Sequence, residues 1–288
     1  MKRLECPACK GQVLRSEFTI SGYLIIRCLN CGSLFVQNLP PDNVLDAIYQ
    51  NAKYYSSLDE IAIFRHQQEN RRRVSQLLQL GGSGRLLDVG CATGLFLETA
   101  KQNGFTTYGI EPNKNNAKKA IEKGHSIFEG SLETFCKLQR SQKPFDVVVA
   151  LDVIEHMPDP EKFMKLLDWC LRPDGILVVT TPNFSGVVSQ FLKVRDPFLT
   201  PPEHLNFFTS KGLIILAEKC GLKYIKKLTF GKLTAPELDR SVTKYFPKSF
   251  ISLGGVIKPF IRLGFRLANR FRLGLELEYY FTKKNISK

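Results

Sequence analysis

The chain has 288 residues, 43% of them hydrophobic, and a net charge of +14. That is long enough for a substantial core with attachments, and no run of eighteen apolar residues is present to form a membrane-spanning helix. Repeats and low-complexity tracts are absent, and the charged Met1-Lys-Arg start does not read as a targeting segment, which points to a cytoplasmic protein.

The first feature along the chain is a pair of knuckles, Cys6-Pro-Ala-Cys9 and Cys28-Leu-Asn-Cys31, with eighteen residues between them. This spacing matches a zinc ribbon, in which four thiolates fill one tetrahedral ion. Cys6, Cys9, Cys28 and Cys31 are therefore the expected ligands of a closed, structural site. Iron also suits four thiolates. Two disulfides fit poorly with a reducing cytosol, and a redox C-x-x-C would need a βαβ setting that these residues lack. Gly11 and Gly32 are placed to relax the backbone past each knuckle. Val13–Ile20 and Tyr23–Arg27 read as short strands around a Ser21-Gly22 turn.

Leu39-Pro-Pro-Asp-Asn reads as a linker. Residues 42–80 read as helical, with Leu58, Ile61, Phe64, Leu77 and Leu78 as apolar contacts and Arg71-Arg-Arg73 outside, up to a break at Gly81-Gly-Ser-Gly84. Strands are expected near 85–89, 106–110, 145–151, 176–181 and 222–230, with helices between them and Leu275–Lys283 as a last strand. Alternating β and α implies an α/β fold with a mostly parallel sheet. The expected organisation is a four-cysteine module at 1–38, a linker and helical segment at 39–80, and an α/β domain at 81–288 with an insertion at about 231–274. Cys91, Cys136, Cys170 and Cys220 lie in apolar surroundings and read as core residues, while His66 and His125 read as surface or helix residues.

Leu86-Leu-Asp-Val-Gly-Cys-Ala-Thr-Gly-Leu-Phe-Leu97 joins an apolar run, a glycine turn and a helix start, and Glu111 ends the next apolar run. Such a turn lets backbone approach a ligand, and an acid about twenty positions later suits ribose hydroxyls. The spacing of Gly90 and Gly94 is neither G-x-G-x-x-G nor that of a P-loop. What remains is a nucleoside site without a phosphate cradle, a description that S-adenosylmethionine fits. Asp88-Val-Gly90-Cys-Ala-Thr-Gly94, Glu111-Pro112, Phe145-Asp-Val-Val-Val-Ala-Leu-Asp-Val-Ile-Glu-His156 and Leu171-Arg-Pro-Asp-Gly-Ile-Leu-Val-Val-Thr-Thr-Pro-Asn183 resemble the class I S-adenosylmethionine-dependent methyltransferases, over roughly residues 60–230. The resemblance is to the branch containing the ubiquinone-type O-methyltransferases. It implies a Rossmann-like seven-stranded sheet whose last strand runs antiparallel. It also implies a cofactor site drawn from Asp88, Gly90, Cys91, Ala92, Gly94, Glu111, Pro112, Ser131, Leu132, Leu151 and Asp152. Ala92 stands where the family usually has a third glycine.

Asp152, Glu155 and His156 follow the 145–151 strand and so reach its carboxyl edge. His156 resembles the histidine of the Val-Ile-Glu-His segment in that branch, and its ordinary pKa suits a general base; the other role open to it is capping the next helix. His204, in Pro201-Pro-Glu-His-Leu-Asn-Phe-Phe208, is the second candidate, either at the acceptor or as an anchor of its loop.

The expected acceptor is a small molecule, a glycan or a lipid-linked precursor, methylated at oxygen. Residues 244–272 carry seven basic and no acidic residues among large apolar ones. A basic amphipathic segment of this kind suggests peripheral contact with the inner membrane surface or with an anionic acceptor. The alternative is an RNA methyltransferase gripping phosphate through the ribbon and the basic surface. Against it, the [DN]-P-P-[FYW] tetrapeptide of amino-group base methylation is missing from the 145–156 strand and turn.

Overall fold

A computed structural model describes residues 1–51, 60–138, 144–186 and 198–230, residues 275–283, and the single positions Ser189, Val194 and Asp196. The 231–274 connection, with its 244–272 basic segment, lies outside the described residues. So does Leu58.

The N-terminal strands are β1 (Leu14–Ile20), β2 (Tyr23–Cys28) and β3 (Leu34–Val36), all antiparallel. The turn between the first two uses Ser21 at φ 50° and Gly22 at φ 81°. Two positive φ values in a two-residue loop match the twist of the flanking strands. Gly32 is left-handed, as expected, but past the first knuckle that role falls to Lys10 at φ 61°. Gly11 answers a different need, since a Cβ there would meet Asn30 Cγ at 2.9 Å.

The helical stretch begins at Asp42 as expected and divides into α1 (Asp42–Asn51) and α2 (Glu60–Gln79). Leu77 is buried, but Phe64 and Leu78 are exposed, contrary to the expected apolar face. Arg72 and Arg73 do not lie outside as expected. They donate to the fully buried Glu278 carboxylate, Arg72 from Nη1 at 2.9 Å and Arg73 from Nε at 2.9 Å. A buried carboxylate needs such partners to offset its lost hydration.

Beyond them come β4 (Arg85–Val89), α3 (Leu95–Gln102), β5 (Thr106–Glu111), α4 (Lys114–Glu122), β6 (Ser126–Glu129), α5 (Leu132–Leu138) and β7 (Phe145–Leu151). Then follow α6 (Pro160–Cys170), β8 (Leu171–Pro182), β9 (Asn206–Phe207), α7 (Ser210–Lys219), β10 (Leu222–Phe230) and β11 (Glu276–Lys283). The large sheet has seven strands in the order β10-β11-β8-β7-β4-β5-β6. Its pairs are parallel except those made by β11, which runs antiparallel to both neighbours. Runs such as Val147-Val-Val-Ala150 are buried on both faces, as central parallel strands require. Cys91, Cys136, Cys170 and Cys220 are buried, as expected. His125 is also buried, against expectation: it packs under the glycine turn and lies 3.3 Å from the Thr107 hydroxyl. No helix among the described residues is long and apolar enough to cross a membrane.

A second sheet, β1-β2-β3-β9, carries a strand from each part of the chain. Because β9 belongs to the loop after β8, the cysteine module is hydrogen-bonded directly to the loop that holds His204.

Candidate active site

The carboxyl ends of β4, β5 and β7 open on one edge, where ligands of open α/β sheets bind. Gly90 leaves β4 with φ 79°, and a Cβ there would meet Val153 Cγ2 at 2.8 Å. Glycine is thus required on two counts. Ala92 holds φ 47° without being glycine, at a cost of about 1–2 kcal/mol. Its amide donates to Glu111 Oε2 at 2.8 Å, which offsets that cost, and the other oxygen of Glu111 accepts from Asn113 N at 2.8 Å. Glu111 is 6% exposed, and burial pushes its pKa up against the pull of those two amides.

A cavity of about 110 Å³ lies beside the turn, lined on one side by Asp88, Gly90, Cys91, Ala92, Leu151 and Asp152. The opposite wall is His66, Glu69, Asn70 and Arg73 of α2 together with Glu276 of β11. Gly94, Glu111, Pro112, Ser131 and Leu132 are not in this wall. Gly94 is the left-handed N-cap of α3, and the Pro112 carbonyl accepts from Gln50 Nε2 at 3.1 Å. The Ser131 hydroxyl accepts from Thr134 N at 3.1 Å at the start of α5, and Leu132 is buried. His66 was expected to be a surface or helix residue; it sits on α2 facing this cavity.

The walls fit a cationic nucleoside. Asp88 is 2% exposed, its Oδ1 has no hydrogen-bond partner among the described residues, and burial and then Glu111 push its pKa up to about 8. Burial and then Asp152 push Glu276 well above the usual carboxylate range. A buried acid left short of a partner, as Asp88 is, favours a ligand that brings positive charge and donors.

Next to the cavity, Asp152 takes φ 56° and accepts from Thr180 Oγ1 at 2.7 Å. A 3₁₀ turn, Ile154–His156, follows. The helix cap is supplied by Asp159, whose Oδ1 accepts from Lys162 N at 3.0 Å. His156 is therefore not the cap of α6. Its Nδ1 lies 2.8 Å from the Glu203 carbonyl, and His204 Nδ1 lies 2.7 Å from that of Phe198. A carbonyl only accepts, so both rings carry the proton on Nδ1 and keep the Nε2 lone pair. The rings meet edge to face with centroids 4.7 Å apart. Burial lowers the pKa of His156, and burial together with the His156 charge lowers that of His204 to about 3. Glu155 is 2% exposed, and burial, then Asp152, raises its pKa strongly. One donor atom each from Glu155, His156 and His204 lies within 4.8 Å of the others, a set able to hold a cation.

The four cysteines converge as their spacing requires. Cys6 and Cys31 Sγ are 3.6 Å apart, and those of Cys9 and Cys28 are 3.5 Å apart. A tetrahedral ion with Zn–S of about 2.3 Å has sulfur–sulfur edges of about 3.8 Å, so the cluster fits zinc and is far too open for disulfides. Hydrogen bonds from Cys6 and then Ser33 lower the Cys31 thiol to about 5, against the opposing effect of burial.

The profile of a family described as a methyltransferase domain matches residues 63–227, more than half of the chain. A ubiquinone biosynthesis O-methyltransferase of Bradyrhizobium diazoefficiens is 30% identical over 171 residues, covering 53% of this chain and 66% of that protein. The mitochondrial ubiquinone biosynthesis O-methyltransferase of Bos taurus is 30% identical over 155 residues, covering 46% and 41%. The chain thus spans less than two thirds of the length of these two relatives. Among solved structures, magnesium protoporphyrin IX methyltransferase from Synechocystis superposes with a TM-score of 0.57 at 12% identity, covering 85% of this chain and all of that one. A Thermotoga maritima S-adenosylmethionine-dependent methyltransferase, described as a possible histamine N-methyltransferase, gives 0.56 at 16% identity, with 83% and 100% covered. At these identities the structures speak for the fold.

Proposed function

We propose a reaction for this chain on one premise: it belongs to the class I S-adenosylmethionine-dependent methyltransferases. The reaction is methyl transfer to a small-molecule acceptor, at oxygen, as the names of the ubiquinone O-methyltransferase relatives suggest. When bound, S-adenosylmethionine supplies a methyl group already activated by its sulfonium, so the protein's part is positioning and proton removal.

Asp88, Gly90, Cys91, Ala92, Leu151 and Asp152 form one wall of the cofactor site in this reading. Glu111 takes the ribose hydroxyls, and His66 and Asn70 face the amino-acid tail from α2. His156 Nε2 accepts the acceptor's hydroxyl proton, and its Nδ1–H stays on the Glu203 carbonyl, which holds the ring in the base tautomer. His204 remains neutral beside it and adds no opposing charge. The observation that carries the reading is the adjacency of two groups: the buried Asp88 carboxylate with an unpartnered oxygen in a glycine-turn cavity, and His156, fixed in the base tautomer on the turn after β7 with His204 packed against it.

A lipid-linked acceptor, or contact with an anionic membrane through 244–272, extends this reading on the charge pattern alone.

Glu111→Ala tests the cofactor site. Loss of an acceptor facing two buried hydroxyls costs about 1–3 kcal/mol, so calorimetry should show S-adenosylmethionine bound about 5- to 150-fold more weakly. Unchanged affinity would put the ribose elsewhere.

A further inference from the structure

One buried hydrogen-bond network joins the cysteine module to the histidine pair. Arg3, 7% exposed, lies three residues before the first knuckle. Its own amide is pinned to the Gln37 carbonyl at 2.8 Å. Its Nη1 donates to Asn206 Oδ1 at 3.0 Å and to the Leu205 carbonyl at 3.2 Å, and its Nη2 donates to the Pro158 carbonyl at 2.5 Å. Asn206, 1% exposed, carries the connection onward: its Nδ2 donates to the carbonyls of Met157 at 2.8 Å, Glu155 at 3.3 Å and Ile154 at 3.4 Å. A guanidinium only donates, so Arg3 fixes which way round the Asn206 amide sits. The amide nitrogen must then face the turn that carries His156. The second knuckle grips the same loop. Thr209 Oγ1 donates to the Cys31 carbonyl at 2.7 Å, Thr209 N donates to Ser33 Oγ at 3.1 Å, and a Cβ on Gly212 would meet Ser33 Oγ at 2.1 Å.

We propose that the cysteine module holds the His156–His204 pair in register, with Arg3 as the positioning residue that acts through Asn206. The inference rests on the reading of His156 as the proton acceptor. Both rings hang on loop carbonyls, those of Glu203 and Phe198, so ring placement follows backbone placement. Leu205 N in turn donates to the Glu155 carbonyl at 2.8 Å, so the two histidine segments move together or not at all. Without Arg3, Asn206 Oδ1 and the Pro158 and Leu205 carbonyls lose a shared donor, and the Asn206 amide is held from its nitrogen side alone. A buried cation is a poor device for stability alone, since well-packed apolar side chains often serve as well. Its fork geometry lets one side chain reach the Val36 carbonyl of β3, the Leu205 carbonyl and Asn206 Oδ1 at β9, and the Pro158 carbonyl beyond the His156 turn.

The test uses the whole 288-residue chain, metal-loaded, with Arg3→Met, which keeps the reach and removes the donors, and Arg3→Lys, which keeps the charge and loses the fork. Metal content, S-adenosylmethionine affinity, kcat, KM and the imidazole Nδ1–H signals of both histidines in nitrogen-15 spectra are measured. Metal content and cofactor affinity should stay at wild-type values. In Arg3→Met both ring N–H signals should broaden or move, and kcat should fall on the order of 10²-fold, as an ångström of misplacement can cause. Arg3→Lys should fall between. Wild-type ring signals in a folded Arg3→Met protein, whatever its melting temperature, overturn the proposal. If Arg3→Met does not fold, wild-type signals in Arg3→Lys do the same. Altered ring signals with unchanged kcat uphold the coupling and instead overturn the proton-acceptor reading.

Discussion

Cys9→Ser is expected to empty the four-cysteine centre and unfold the module around it. Wild-type protein should carry about one equivalent of metal, and the variant close to none. The module is too small to hold itself otherwise. Of its six residues in the main core, Cys6, Ala8, Ile26, Cys28, Cys31 and Phe35, three are the ligands themselves, and its other buried apolar residues, Ile25, Leu34 and Val36, pack outward against Leu205 and Phe207. Structural zinc contributes about 10–16 kcal/mol in finger-sized peptides, more than such a cluster could replace. Loss of the metal should therefore expose β1–β3 to protease while the seven-stranded sheet, whose core lies between β4 and β11, keeps its circular dichroism. Metal-free protein with a protease-resistant N-terminus would show that the thiols are ordinary core residues.

The second large effect is expected at His156. His156→Ala should lower kcat by about 10²–10⁴-fold, the usual worth of a positioned general base. Affinity for S-adenosylmethionine should be unaffected, because the ring is not in the wall of the glycine-turn cavity. The pH profile sharpens this. Burial lowers the His156 pKa from its ordinary 6.5, so the ring is the free base at neutrality and protonates only in more acid solution. The rate should hold through neutrality and fall only in more acid solution, below the ordinary imidazole range, as the lone pair is taken up. His156→Ala should abolish the acid limb. A full acid limb in the variant would move the base to another group.

Much of the fold was legible because its signals are local. β4 and β7 are mostly apolar runs with clear ends, β5, β10 and β11 carry β-branched and aromatic residues between polar ones, and the glycine turn between β4 and α3 names its own geometry. β6 was missed because Ser126–Glu129 is four residues long, with one β-branched residue. β8 starts five residues before the expected strand because Leu171 already pairs with Phe145 of β7, while Arg172-Pro-Asp-Gly175, which reads as a turn, bulges from the ladder before pairing resumes at Ile176. β9 is two residues long and pairs with β3 some 170 positions earlier, which no local period can show. The site divides the same way. The wall from Asp88 to Ala92 and the turn from Asp152 to His156 follow from motif order. The wall from His66 to Arg73 and Glu276 does not, because its residues are brought together by the sheet and not by spacing. The inward turn of Arg72 and the burial of Arg73 have the same origin: their partner Glu278 is about two hundred residues away.

The central claim is methyl transfer from S-adenosylmethionine to a small molecule. Purified protein incubated with cell extract and methyl-labelled S-adenosylmethionine, with and without prior RNase treatment, tests it most directly. Label should appear in an organic-soluble or low-molecular-weight product, released by ether-cleaving chemistry, unaffected by RNase and lost with His156→Ala. Label confined to RNase-sensitive material, or no transfer above that of heat-killed protein, would contradict it.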